Sequence, residues 1–409
     1  MAGETAAGPL AGLRVLDMTS VLLGPYATQI MGDMGADVIK VESLDGDVTR
    51  NVTPFRTPGM GAVFMNVNRN KRSLSIDLKN AAARDAFLKL VPEADVLVCS
   101  IRPNAMRRLG LSYEDLKPLN PGLIYCGAYG FSENGPYAGR PAYDDIIQAA
   151  CGLAALHERA DGAPAYSRTV LADKVTGLMC LSAVTMALVA RGRSGKGQFV
   201  EVPMFESLVA FMHVEHLQGA SFEPPRGTTG YERVLAPHRK PYRTSDGHVA
   251  LLPYTTRHWT SYLDAIGRND ITSEIWVTDP AERSRNIARL YKIVAETTPT
   301  RSSTEWLTLF SEIDVPAMPV LGTEDLLQDP HLDEIGFWPL FQHPSEGLIR
   351  MVGQPIRFEE TPASYRIGAP RLGEHSVDIL READLDETEI NELLSAGSIR
   401  QACLDHDTP

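Results

Sequence analysis

Apolar positions along the chain fall into two rhythms. RVLDMTS (residues 14–20) is a short β-branched and apolar run and predicts a buried strand. Gly24 and Pro25 then open a helical segment that Gly35 closes. ADVIKVE (36–42) predicts a second strand, and SLSIDL (73–78) alternates as a half-buried strand does. NAAARDAFLKLVPEA (80–94) carries helical spacing behind an N-cap candidate, Asn80. DVLVCS (95–100), LIYCGAYG (123–130) and QFVEVPM (198–204) predict further strands. Strands alternating with helices imply an α/β fold, its parallel sheet covered on both faces.

The pattern changes near residue 219. A stretch rich in glycine, proline and charge (219–240) reads as a linker. YRTSDGHVALLP (242–253) reads as a hairpin turning at Ser245–Gly247, and helical spacing follows at 257–266, 280–297 and 303–313. The predicted organisation is a large domain over 1–218, the linker, a smaller α+β domain over 241–330, and a return to the large domain over 331–409. A last helix is expected near the C-terminus, capped by Asp386 or Thr388.

Composition narrows the function classes. The 409 residues are 44% hydrophobic and 22% charged, an ordinary globular balance. A net charge of −13 argues against a general nucleic-acid binder but permits a local basic pocket. The apolar stretch Val175–Ala190 is shorter than a membrane span needs, so a buried helix and no membrane partner are expected. The N-terminal residues show no basic or apolar leader pattern. Cys99, Cys126, Cys151, Cys180 and Cys403 are far apart, so neither a zinc site nor a disulfide framework is expected, and the cytoplasm is the expected compartment.

Common catalytic motifs are absent. The first strand-to-helix turn, SVLLGPYATQ, has Gly24 but not the glycines of a dinucleotide fingerprint, and this leaves Glu42 a weak ribose ligand. GRSGKG (192–197) lacks P-loop order and reads as a turn. No G-x-S-x-G or H-E-x-x-H occurs. Lys71, Arg72, Lys79, Arg102, Arg107 and Arg108 form a cation cluster that either holds phosphates or is a solvated face. Asp173 precedes the long apolar helix; it is either an N-cap or a partly dry carboxylate able to attack an activated acyl group. Tyr143, Asp144 and Asp145 form a second polar knot, in which either aspartate is an N-cap candidate.

GLRVLDMTSVLLGPYATQIMGDMGADVIKVE, NRNKRSLSIDLKN, RPNAMRRLGL, LKPLNPGLIYCGAYGF and LADKVTG together resemble the class III coenzyme A transferases, the family of formyl-CoA transferase and carnitine CoA-transferase. The resemblance implies a Rossmann-like large domain built from both chain ends, a small domain, and an interlocked homodimer. It implies CoA and acyl-CoA as substrates, with no permanently bound cofactor and no metal, and a small carboxylic acid as acceptor. It places the catalytic aspartate at Asp173 and CoA contacts at Ile76, Lys79, Ser100, Ile101, Arg108 and Leu109, with Arg72 and Arg102 as further cations. Val21, Leu22, Met204, Tyr143 and Asp144 fall at supporting positions, and Gly177 is expected to allow close approach to amides at the start of the apolar helix.

The departures matter as well. Leu22 stands where formyl-CoA transferase has glutamine, Ser43 where it has an arginine beside the adenine, and Asp144 where it has glutamate. HRKPYRTSDGH replaces its glycine-rich loop. The expected reaction is CoA transfer from a donor such as succinyl-CoA to a dicarboxylate-like or sulfur-containing acid, through an aspartyl anhydride and an aspartyl-CoA thioester. Arg233, His238, Arg239, Lys240 and Arg243 either meet the acid's second charge or form a solvated loop. The alternative is a 2-methylacyl-CoA racemase of the same fold, but the family's racemases carry histidine where Tyr143 stands, and a phenol is a poor base for an α-proton.

Overall fold

The computed structural model describes residues 8–402, the side chains of 159–161 excepted. Cys403 lies outside the described residues, as do residues 1–7 at the N-terminus. The chain divides into two compact units. The larger comprises residues up to 151, 167–211 and from 333 onward; the smaller comprises 152–166 and 212–332.

The larger unit is built on six parallel strands: β1 (Arg14–Met18), β2 (Asp37–Glu42), β3 (Lys71–Ile76), β4 (Val96–Cys99), β5 (Ile124–Tyr129) and β6 (Gln198–Pro203). Their spatial order is 3-2-1-4-5-6, and a short antiparallel strand, Ile399–Arg400, adds to the β3 edge. This is the strand order of a doubly wound sheet, in which ligands lie beyond the strand carboxyl ends where the order reverses. Here the reversal falls between β1 and β4. Leu16, Ile39, Leu74, Leu97 and Tyr125 carry the core under one face, where the C-terminal residues Ile379, Leu380, Ile390 and Leu393 close it.

The connecting helices are α1 (Leu23–Asp33), α2 (Ala62–Asn68), α3 (Ala81–Leu88), α4 (Pro103–Leu109), α5 (Tyr113–Leu116) and α6 (Asp144–Ala150). α7 (Leu153–Asp161) belongs to the smaller unit; α8 (Leu171–Ser194) and α9 (Met204–His216) follow. Asn80 caps α3 as expected, accepting from Ala83 N. The helix stops at Leu88, and Pro92 turns the remainder into a 3-10 turn, Val91–Glu93. The helix Glu387–Ser395 starts at Asp386, whose carboxylate caps Glu389 N while Glu389 caps Asp386 in return.

The apolar helix is longer than its hydropathy suggests, because its charged flanks continue it. α8 adds four residues at each end of Val175–Ala190 and stops at Gly195, which takes a left-handed φ of 69°. At 24 residues it is long and apolar enough to cross a membrane, yet Ala172, Val175, Thr176, Gly177, Cys180, Val184 and Ala187 are buried within the protein.

The smaller unit has its own core of Trp259, Tyr262, Leu290, Tyr291, Trp306 and Phe310. Tyr242–Arg243 and His248–Leu251 form the hairpin expected around the Asp-Gly turn, and Ala317–Pro319 completes a three-stranded sheet. The 280–297 pattern is two helices, Pro280–Arg285 and Ile287–Thr297, broken at Asn286. Residues 219–240 lie in this unit and include the short helix Glu232–Leu235.

Candidate active site

A cavity of about 260 Å³ opens where the strand order reverses. Its walls come from the turns after β1, β4 and β5, from the start of α8 and from Met204 at the start of α9. Six of the residues singled out from the sequence meet there: Val21, Ser100, Arg102, Tyr143, Asp173 and Met204. Gly177 explains how Asp173 reaches this place. A Cβ on Gly177 would stand 2.6 Å from the Leu23 carbonyl oxygen and 3.2 Å from Tyr26 Cδ1. The bare glycine lets α8 press against α1, and both helices begin at the same cavity.

Asp173 is the third residue of α8, not its cap; that position is Val170. It is 8% exposed. Its N–H donates to Asp144 Oδ1 at 3.1 Å, and Asp144 Oδ2 accepts from Gln148 Nε2. Gln148 is fully buried and its own Oε1 accepts from Ser167 N at 2.9 Å. Asp144 is therefore well supplied with donors. Asp173 is not: burial pushes its carboxyl up, the Asp144 charge adds to the push, and the value reaches about 6. The positive end of α8 opposes this and favours the charged form. Among the described residues none hydrogen-bonds the Asp173 carboxylate, and a half-dry carboxylate facing a cavity has the chemistry of a nucleophile. Tyr143 caps α6 without a side-chain bond, and its ring, 69% exposed, stands at the cavity.

The turn after β1 rests on buried charges. Lys71 Nζ lies 2.9 Å from Asp17 Oδ2 and 3.0 Å from Pro25 O, with both charged groups fully buried. Burial pushes the Asp17 carboxyl up, but the Lys71 and Lys40 charges overcome this and hold it at about 2. Burial brings Lys71 down to about 8 despite Asp17. Lys40 Nζ donates to Thr19 O at 3.0 Å and to Asp47 Oδ2 at 3.1 Å. Arg50 closes the set on Glu42 at 2.6 Å.

Several expected roles do not survive. Lys71 cannot meet a ligand, because its ammonium is spent inside the protein. Arg72 follows it directly, but it sits at the amino end of β3 and pairs with Asp37 at 2.7 Å and Glu382 at 2.8 Å, at the other end of the strands from the cavity. Gly177 seats α8 against α1 and is not among the cavity-lining residues. The Asp173 amide is taken by Asp144, so it is not open to an oxyanion. Asp144 is the first residue of α6 rather than its cap.

Other sequence-derived positions stand outside the cavity lining. Leu22 caps α1 through its backbone only. Ile76 is in the core, and Ile101 and Leu109 pack against it. Lys79, Arg107 and Arg108 are exposed beyond the ends of β3 and β4. Arg233, His238, Arg239, Lys240 and Arg243 belong to the smaller unit, where Arg233 lies over the Tyr254 ring. Tyr129, Glu133 and Arg140, which sequence reasoning passed over, line the cavity. Their signal was their place at and after the carboxyl end of β5, in a loop rich in glycine and proline. Among the described residues no cluster of His, Cys, Asp and Glu suits a metal ion.

Residues 10–376 match the family described as CoA-transferase family III. The chain is 35% identical to the succinyl-CoA:mesaconate CoA-transferase of Haloarcula hispanica, covering 92% of this chain and 96% of that one. It is 30% identical to the human succinyl-CoA:glutarate CoA-transferase, covering 96% and 90%. The crystal structure of a CAIB/BAIF family protein from Brucella suis superposes with a TM-score of 0.77 at 30% identity, covering 92% of this chain and all of that one.

Proposed function

The chain belongs to CoA-transferase family III, and from that premise we propose that it moves CoA from succinyl-CoA to a small dicarboxylic acid through covalent intermediates on Asp173. The Asp173 carboxylate attacks the thioester carbonyl, forming a mixed anhydride and expelling CoA thiolate. The thiolate attacks the aspartyl carbonyl, giving an aspartyl-CoA thioester and free succinate. The acceptor carboxylate attacks this thioester, re-forming an anhydride and releasing thiolate again. Thiolate attack on the acceptor acyl carbon then yields the new acyl-CoA and restores Asp173. Each step exchanges one carboxylate or thiolate for another, so no ATP is needed.

One observation carries this reading: a buried carboxylate, raised to about 6, lines a cavity in a member of a CoA-transferase family. With the Asp173 amide occupied, oxyanion stabilisation is assigned to the first turn of α1, which no side chain caps and whose Leu23 lines the cavity. Arg102 and Arg140 supply positive charge for CoA phosphates or the acceptor's second carboxylate. Succinyl-CoA is favoured as donor because two similar relatives bear that donor in their names. Among the described residues no histidine lines the cavity, which disfavours the racemase.

The proposed partner is a second copy of the chain, interlocked as the resemblance implies; exposed Leu178, Met179, Met186 and Val189 on α8 support an apolar contact. The buried thiols Cys99, Cys126 and Cys180 support a reducing compartment, and the cytoplasm is the proposed location.

Incubation with succinyl-CoA, hydroxylamine trapping and peptide mass spectrometry test the mechanism. A hydroxamate at Asp173 is expected, absent in a folded Asp173→Asn protein that transfers no CoA. Trapping at another residue, or turnover by Asp173→Asn, would overturn it.

A further inference from the structure

Val21 lines the cavity with a backbone φ of 68°. A β-branched residue avoids this left-handed region, because its Cβ crowds the following carbonyl. Such a conformation persists only where the surroundings enforce it. The Val21 N–H points at one carboxylate, 3.3 Å from Asp47 Oδ1 and 3.2 Å from Asp47 Oδ2. That carboxylate is itself fixed. Its Oδ1 accepts from Thr49 N at 2.9 Å and from Thr49 Oγ at 2.8 Å, and its Oδ2 accepts from Lys40 Nζ. The same ammonium holds Thr19 O, two residues before Val21. Asp47 and Lys40 are both buried and neither lines the cavity.

We propose that Asp47, anchored by Lys40, is a positioning residue that locks Val21 in the left-handed conformation and so sets the turn carrying Ser20, Val21 and Leu23 against the reactive carboxylate. The proposal rests on the function assigned above. Released from Asp47, Val21 relaxes to a negative φ, and the turn moves with it. Gly24 leaves no slack nearby, since a Cβ there would meet the Thr19 side chain at 2.3 Å. Misplacement of about 1 Å at such a wall costs about a hundredfold in rate.

The test is a cycle of variants in the full chain, with succinyl-CoA as donor and mesaconate or glutarate as acceptor. Asp47→Ala is expected to lower kcat about a hundredfold while KM for succinyl-CoA changes less than about threefold. In a Val21→Gly background, where the left-handed conformation costs nothing, the same Asp47→Ala change should lower kcat less than about threefold. Equal losses in both backgrounds would mean that Asp47 serves stability in general, and the proposal falls. Asp47→Asn keeps an oxygen for Val21 and Thr49 and should hold both kcat and the positive φ; if Asp47→Ala does not fold, Lys40→Met with Asp47→Leu removes the acceptor in both backgrounds without stranding a buried charge. Crystal structures supply a readout that needs no turnover: Val21 should leave positive φ in the Asp47 variant, and an unchanged φ refutes the clamp. If the wild-type protein transfers nothing and Asp173 is never labelled, the assigned function fails, while the Val21 conformation still decides the clamp.

Discussion

Asp144 Oδ1 accepts the backbone N–H of Asp173 at 3.1 Å, so two carboxylates from different helix starts are neighbours, of which Asp173 lines the cavity and Asp144 does not. One of them has donors and the other faces open space. Burial and the neighbouring Asp144 charge together raise the acid that lacks donors, Asp173. Asp144 thus places Asp173 and also makes it more basic.

That pairing predicts a pH profile. In the proposed mechanism attack requires ionised Asp173, so kcat/KM should rise with pH through about 6 and then level off. Asp144→Asn keeps an oxygen for the Asp173 amide and removes the charge. Its rising limb should move down by up to about one unit. A limb that stays in place would remove Asp144 from the causes.

Stability should respond to the same group. The folded value of about 6 lies above the ordinary 3.8, so the folded protein binds this proton more tightly than the unfolded chain does. Below about pH 4 both states hold the proton and the residue has no net effect. Between about 4 and 6 the cost of ionising Asp173 in the fold grows, and above 6 it is complete. Asp173→Asn should therefore stabilise the protein by up to about 3 kcal/mol near pH 7.5, with the gain vanishing near pH 3.5. Urea unfolding at both pH values checks this; a gain independent of pH would contradict it.

Lys71→Met should be costly, because it strands Asp17 without its partner inside the protein. A loss of about 3–5 kcal/mol is expected. Replacing both residues with apolar ones should cost much less than the single change. Equilibrium denaturation of the single and double variants measures the difference.

Gly177→Ala forces a methyl group against the Leu23 carbonyl, and backbone cannot yield as a side chain tip can. Loss of about 1–3 kcal/mol is expected. Because α1 and α8 both carry cavity residues, kcat should fall together with the melting temperature. Full activity in a destabilised variant would separate this packing from the site.

Arg102→Ala removes an exposed guanidinium from the cavity without disturbing the fold. KM for succinyl-CoA should rise about tenfold, the size of one charge-assisted hydrogen bond. A thermal melt within about a degree of wild type, with KM unchanged, would show that the cation faces no substrate anion.

The strands, the hairpin at Ser245–Gly247, the caps at Asn80 and Asp386 and the candidacy of Asp173 were legible in the chain, because each is written in a short run of neighbouring residues. Lys71 and Arg72 mark where that legibility ends. Adjacent in a strand, they point to opposite faces: one reaches Asp17 in the interior, 54 residues away in sequence, and the other reaches Glu382, 310 residues away. Local pattern showed two cations but not that both were already paired. Nor could it show that Gly177 is a seat for Leu23, that Asp144 occupies the amide beside it, or that Val21 is held at a positive φ by Asp47. Periodicity reports which face of an element is apolar, a property of the element by itself. Which partner completes a buried charge, and where a strained turn is pinned, are properties of pairs that only the folded chain brings together.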